Sequence, residues 1–326
     1  MPLAGGKQLS TILEVQNLKK YFPVANGQLH AVDDVSLKIE AGTTLGVVGE
    51  SGCGKSTLGR TILHLLDSTS GKIIFDGTDI THVKGKELGK LREKMQIIFQ
   101  DPFSSLDPRL TVSQIIAEPL EIRGGMTKAD IGKRTSELMK TVGLDERFVN
   151  SYPHELDGGR RQRIGIARAL SLGPKFIVCD EPVSALDVSI QAQIINLLKD
   201  FQSEFGLTYM FISHDLSVVE YISDEVAVMY LGEVIEKAAT EKLFAAPLHP
   251  YTKALNAAVP QPNVHAKRER QLIKGELSSP IDPAPGCRFR PRCPYAAEAC
   301  AGPQKLTEVV NGHFVSCCRA KEINNI

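Results

Sequence analysis

The sequence predicts an α/β protein, a mainly parallel sheet between helices with an antiparallel part supplied by the N-terminal strands. Three observations lead to this. Short apolar runs alternate with helical stretches through the middle of the chain. TTLGVVGE (43–50) is an apolar strand running into a glycine turn, and KFIVCDEP (175–182) is a buried strand ending in acids. SIQAQIINLLKDFQSEFG (189–206) repeats its apolar residues as an amphipathic helix does.

The other elements follow in order. ILEVQNL (12–18) and AVDDVSLKI (31–39) alternate or cluster apolar residues as strands do. SGKIIFDGTDI (70–80) reads as strand–turn–strand, with Asp76-Gly77 at the turn. MQIIFQ (95–100) is a further buried strand. Residues 103–150 turn helical, with TVSQIIAEPLEI and KADIGKRTSELMKTVGL as the main helices. LTYMFISHD (207–215) and EVAVMYLGEVIEKA (225–238) return to strand. From about residue 246, APLHPYTKAL, VPQPNVHAKRERQL and SSPIDPAPGCRFRPRCP are rich in Pro, His, charge and turns. This reads as an appended segment too proline-rich to form a second full core.

A chain of 326 residues suits one large domain or two modest ones. Lys and Arg number 38 and Asp and Glu 38, and a net charge of zero argues against a general nucleic-acid binder. No apolar run reaches the roughly 18–20 residues needed to span a bilayer. MPLAGGKQLSTILEV lacks a signal peptide's apolar core, so a cytoplasmic protein able to dock on a membrane partner is expected.

GESGCGKST (49–57) fits G-x-x-x-x-G-K-[ST], and it follows a predicted strand and precedes the helical TLGRTILHLL. Gly49, Ser51, Gly52 and Gly54 let the backbone curl round phosphate oxygens, at the positive end of the helix that follows. Lys55 is placed to reach the β- and γ-phosphates, Ser56 to ligate Mg²⁺, and Thr57 continues the motif. Asp180 ends the buried strand FIVCD, where a carboxylate is costly unless it meets a cation such as Mg²⁺. Glu181 follows at the strand tip, where it can polarise an attacking water.

These motifs, in this order, resemble the ATP-binding subunits of ABC transporters over nearly the whole chain. The resemblance implies a P-loop NTPase of the ABC ATPase fold, with a RecA-like core, an antiparallel β subdomain, a helical subdomain and a cysteine-rich C-terminal extension. The expected divisions are 1–100, 101–162 (helical subdomain), 163–245 and 246–326. Gln100 resembles the family's Q-loop glutamine and is implied to meet Mg²⁺ and the attacking water. Asp187 in SALD resembles the D-loop, and His214 in FISHD the switch histidine that contacts the γ-phosphate. The adenine-stacking aromatic falls in KKYF, with Phe22 in the better register and Tyr21 second. The resemblance implies ATP hydrolysis with Mg²⁺ by a head-to-tail pair of such subunits on two membrane permease subunits, at the cytoplasmic face.

DPFSSLDPRLTV, YPHEL, VSIQAQIINLL and PLHPYTKAL are similar to the oligopeptide/dipeptide importers, a group that includes nickel importers. This implies a second ATP-binding subunit, a paralogue or another copy of this chain, and, indirectly, an extracytoplasmic solute-binding protein. Cys287, Cys293, Cys300 and Cys317 resemble that group's cysteine-bearing tail, which implies a [4Fe–4S] cluster. Four thiolates also suit Zn²⁺, and Cys318 is an alternative to Cys317. Arg288, Arg290 and Arg292 flank these cysteines, where they would either offset a cluster's charge or stand exposed with no role in it.

The signature region departs from the family's LSGGQ, reading Leu156-Asp157-Gly158-Gly159-Arg160. The family's serine donates to the partner subunit's γ-phosphate, and an ionised Asp cannot. Asp157 is also a good helix N-cap, competing for the same amides. Arg160 restores the charge, and Asp157 can pair with Arg160 or Arg161. A weakened site and a compensated one both fit.

Overall fold

The computed structural model describes residues 10–101, 103–259, 275 and 279–326. The readings made on the first nine residues and on most of VPQPNVHAKRERQL lie outside the described residues. The chain forms two compact units. The first holds Met1–Leu45, Gly49–Val83 and Asp224–Ile326; the second holds Gly46–Val48 and Lys84–Ser223.

In chain order the first elements are β1 (Thr11–Val24), β2 (Gly27–Glu40), β3 (Thr44–Val48), α1 (Lys55–Ile62), β4 (Ser70–Phe75) and β5 (Thr78–Asp79). Then come α2 (Gly85–Lys94), β6 (Met95–Ile98), α3 (Val112–Arg123), α4 (Lys128–Thr141), α5 (Gly158–Leu170) and β7 (Phe176–Asp180). These are followed by α6 (Val188–Phe205), β8 (Thr208–Ile212), α7 (Leu216–Ile222), β9 (Glu225–Tyr230) and β10 (Glu233–Ala239). The chain closes with α8 (Thr240–Ala245), α9 (Pro250–Ala258), β11 (Thr307–Val310), β12 (His313–Val315) and α10 (Ala320–Asn324).

In the first unit, β2-β1-β4-β5 form an antiparallel sheet, the part expected from the N-terminal strands. Alternating burial builds it: Val35, Leu37 and Ile39 of β2 are buried at period two, as are Leu13 and Val15 of β1, with Leu18 buried beyond a register shift. Asp76 and Gly77 turn β4 into β5 with φ of 50° and 75°, the left-handed pair that a tight hairpin demands.

The run 225–238 is two strands, not one. Leu231 and Gly232, at φ 43° and 88°, fold β9 back on β10. The C-terminal residues join this hairpin: β12 pairs with β10 (Glu236 opposite Val315), and β11 pairs with β12. The tail strands β11 and β12 therefore extend the sheet of β9 and β10.

Glu236, fully buried, explains the HPYT run. Its carboxylate accepts the Leu248 and His249 amides at 2.7 and 2.9 Å, and meets His313 Nε2 at 2.7 Å. His249 Nδ1 caps α9 by accepting the Tyr251 amide at 3.1 Å. Burial lowers the His249 pKa to about 4 from 6.5, against the pull of Glu236. A depressed imidazole pKa means that the unfolded chain binds the proton first. Its stabilisation is therefore full above pH 6.5 and lost as pH falls towards 4, on the order of 3 kcal/mol. Melting temperature should drop more steeply across that window for the native chain than for His249→Asn, which keeps a capping oxygen. Parallel curves would refute this.

The second unit carries the parallel strands β8-β7-β6, with its residues Gly46–Val48 from β3 next in order beside β8. Every residue of β7 and β8 is buried, as strands covered on both faces require. Thr111 and Gln114 form a capping box on α3, and Thr127 caps α4. Ala117, Leu120 and Ile131 join these two helices in a small apolar core. Among the described residues no helix is long and apolar enough to cross a membrane.

Candidate nucleotide-binding site

The glycine loop opens on two close backbone approaches. A Cβ on Gly49 (φ +152°) would lie 2.2 Å from the Met229 carbonyl oxygen, and one on Gly54 (φ +104°) 2.0 Å from that of Ala31. Only glycine fits either place. Lys55, buried at the start of α1, donates from Nζ to the Gly49 carbonyl at 2.7 Å and the Glu50 carbonyl at 3.0 Å. The loop's shape and its ammonium are thus set together. Ser56 and Thr57 follow in the first turn of α1.

Tyr21 and Phe22 lie next to each other on β1, opposite His30 and Leu29 of β2. The Tyr21 ring stacks on His30 with centroids 3.9 Å apart, and its hydroxyl hydrogen bonds to Asp33. Phe22 lies under the Lys20 ammonium, 4.7 Å from the ring centroid.

In the second unit, three residues distant in sequence meet at one carboxylate oxygen. Gln100 Nε2 donates to Glu181 Oε2 at 2.9 Å, and His214 Nδ1 lies 3.2 Å from the same atom. Glu181 sits one residue beyond β7 at φ +48°, the left-handed region that a long side chain rarely adopts. Its amide donates to the Ile212 carbonyl at 2.9 Å, and its carbonyl accepts the Ser184 hydroxyl at 3.1 Å. Strain held in place by such bonds is characteristic of working residues. Sequence reasoning carried no sign of it. Asp180, the last residue of β7, is fully buried. Asp187 is exposed at the N-cap of α6, and its side chain makes no capping bond.

Asp157 caps α5: Oδ1 accepts the Arg160 amide at 2.8 Å, and Oδ2 pairs with the Arg160 guanidinium. Arg161 is not the partner, since its Nε donates to the Pro153 carbonyl at 2.7 Å. Both members of the Asp157–Arg160 pair are more than a third exposed, at 56% and 43%. Gly158 and Gly159 let α5 approach α6: a Cβ on Gly159 would lie 2.8 Å from the Ile190 side chain.

Comparison with known proteins bears on this geometry. Residues 32–184 match the family described as ABC transporter, and residues 235–300 match the oligopeptide/dipeptide transporter C-terminal region. A putative peptide import ATP-binding protein of Brucella ovis is 52% identical over 94% of this chain and 98% of its own length. The chain belongs to the ABC transporter ATP-binding family. The oligopeptide transport ATP-binding protein OppF of Salmonella typhimurium is 49% identical over 96% of this chain and 97% of its own. A dimeric ATP-binding cassette in a post-hydrolysis state, bound to ADP and Pi, superposes with a TM-score of 0.65 at 32% identity. It covers 70% of this chain and 99% of that one.

As an ABC transporter ATP-binding subunit the chain is an ATPase, and importer cassettes of this family act as dimers with membrane permease subunits. The cysteine tail departs from expectation. Among the described residues no group of three or more His, Cys, Asp or Glu side chains is placed to hold a metal ion. The expectation of an iron–sulfur or zinc site on Cys287, Cys293, Cys300 and Cys317 thus finds no support in the geometry. Burial pushes the Cys287 thiol up to about 12, and the other three thiols add to the rise. Burial raises Cys293 and Cys317 as well.

Hydrogen bonds and arginine anchors hold the segment instead. The Cys287 amide donates to the Cys300 carbonyl at 2.9 Å. Arg288 and Arg292 do not serve the cysteines. Arg288 pairs with Asp33 and, at 3.0 Å, with Glu233, while Arg292 pairs with Glu50 at 2.8 Å. Arg290 alone of the three is exposed. Sequence reasoning missed the pairs with Asp33 and Glu50 because their members lie more than 200 residues apart.

Proposed function

We propose that this chain hydrolyses ATP to power a di- or oligopeptide importer. It would work in a head-to-tail pair with a paralogous subunit, on two permease subunits at the cytoplasmic face. The convergence of Gln100 and His214 on Glu181 is the observation that carries the hydrolytic half of this reading. The match of residues 235–300 to the oligopeptide/dipeptide region and the names of the relatives support the solute class. Lys55, with Ser51 and the loop glycines, binds the phosphates. Phe22 is the better candidate to stack on adenine, since Tyr21 is committed to His30 and Asp33.

Ser56, Asp180 and Gln100 are the residues that would hold Mg²⁺, which would supply positive charge to offset that of the phosphates. Glu181 orients water for attack on the γ-phosphorus, while His214 reports the γ-phosphate. Asp157, Gly158, Gly159, Arg160 and Asp187 serve the partner subunit's nucleotide. A [4Fe–4S] cluster in the tail stays within the reading on the resemblance of Cys287, Cys293, Cys300 and Cys317 to the cysteine-bearing tail of the oligopeptide/dipeptide importers alone. Iron analysis of anaerobically purified protein tests it, and colourless, iron-free protein refutes it.

The function itself is tested in vesicles holding the purified complex and its binding protein. ATP-dependent uptake of labelled di- or oligopeptides is expected. Uptake of Ni²⁺ and not peptides would overturn the assignment.

A further inference from the structure

The tail residue Arg292 touches the phosphate loop. Its guanidinium grips the Glu50 carboxylate with two nitrogens, Nη1 to Oε2 at 2.8 Å and Nη2 to Oε1 at 3.1 Å. Nη1 also reaches the Tyr230 hydroxyl at 3.3 Å. The pair is largely enclosed, with Arg292 9% and Glu50 23% exposed. Such a fork fixes direction as well as distance.

Glu50 is the second residue of the loop, and each of its polar groups is engaged. Its amide donates to the Tyr251 hydroxyl at 2.9 Å, and its carbonyl accepts Lys55 Nζ at 3.0 Å. Beneath it, Phe289 of the tail packs against Tyr230 and Tyr251, with ring centroids 5.3 and 5.4 Å away. Four residues before Arg292 along the same short segment, Arg288 is anchored on Asp33, the carboxylate that also receives the Tyr21 hydroxyl. One segment of the tail thus braces the loop's first turn and Asp33 of β2, the acceptor of the Tyr21 hydroxyl.

We propose that Arg292 is a positioning residue for ATP: through Glu50 it holds the carbonyl that orients Lys55 and so presets the phosphate loop for nucleotide. Losing it loosens the loop before ATP arrives, so the deficit falls on ATP affinity and not on the chemical step. The proposal rests on reading residues 49–57 as the phosphate loop.

The test uses the assembled transporter, with ATPase rate measured against ATP concentration, and the purified chain, with binding of a fluorescent ATP analogue. Arg292→Met is expected to raise half-saturating ATP about fivefold and to keep kcat within about twofold. Arg292→Lys, which keeps charge and loses the fork, should fall between native and Met. Glu50→Gln breaks the pair from the other side and should weaken ATP binding alike, which serves if the Met chain does not accumulate. The double variant should be no worse than Arg292→Met, because both remove one interaction. Unchanged half-saturation, a loss confined to kcat, or additive defects would overturn the proposal. Lys55→Ala separates the premise. If it abolishes analogue binding while Arg292→Met binds normally, the brace is wrong; if it too binds normally, the phosphate-loop reading is wrong.

Discussion

Replacing Glu181 by glutamine is expected to cut ATP hydrolysis by about a hundredfold or more while nucleotide still binds. The substitution keeps the side chain's length and removes its ability to polarise water. Gln100 and His214 both contact Oε2, so the carboxylate is held where it stands, and little geometry should change. Steady-state phosphate release from the assembled complex and binding of an ATP analogue to the same preparation check the two halves separately. Hydrolysis near the native rate would remove Glu181 from the chemistry and leave its strained backbone without a role.

Removing Arg160 alone is expected to do more harm than removing it together with Asp157. Arg160→Ala leaves the Asp157 carboxylate without its guanidinium, at a helix end proposed to face the partner's ATP. A unit charge at about 4 Å from a phosphate charge costs about 1 kcal/mol in water and about 4 kcal/mol near a protein surface. A loss of at least about fivefold in the ATPase rate follows, growing as salt is reduced. Asp157→Ser with Arg160→Gln restores the family's residues and should raise the rate or leave it nearly unchanged. If the double variant is inactive, the Asp–Arg pair is a working element that the serine form does not replace.

Much of the fold was legible because its signals are local. The strand–glycine–helix of residues 43–62 and Asp180 closing β7 are read from adjacent residues, and the structure has them in those elements. The hairpin at Leu231-Gly232 was hidden because a leucine at positive φ carries no turn signature. The partner of Asp157 was left between two arginines by spacing. Hydrogen bonding decides it, since the Pro153 carbonyl already takes Arg161. The tail was the least legible part. Its arginines looked like neighbours of cysteines, and only folding shows that Arg288 and Arg292 reach Asp33 and Glu50.

The long span between those partners bears on how the protein is made. Gln28 hydrogen bonds to Asp282, 254 positions later, and Asp33 pairs with Arg288, 255 positions later. At about 5–20 residues per second of synthesis, the N-terminal hairpin waits roughly 13–50 s for the residues that complete it. The unit containing residues 84–223 is fully translated before then. The first unit is therefore finished last although it begins first, and its β1–β2 hairpin is the natural client of a chaperone in the interval. A premature stop ahead of Asp282 would leave that hairpin without its closing partners rather than trim an accessory.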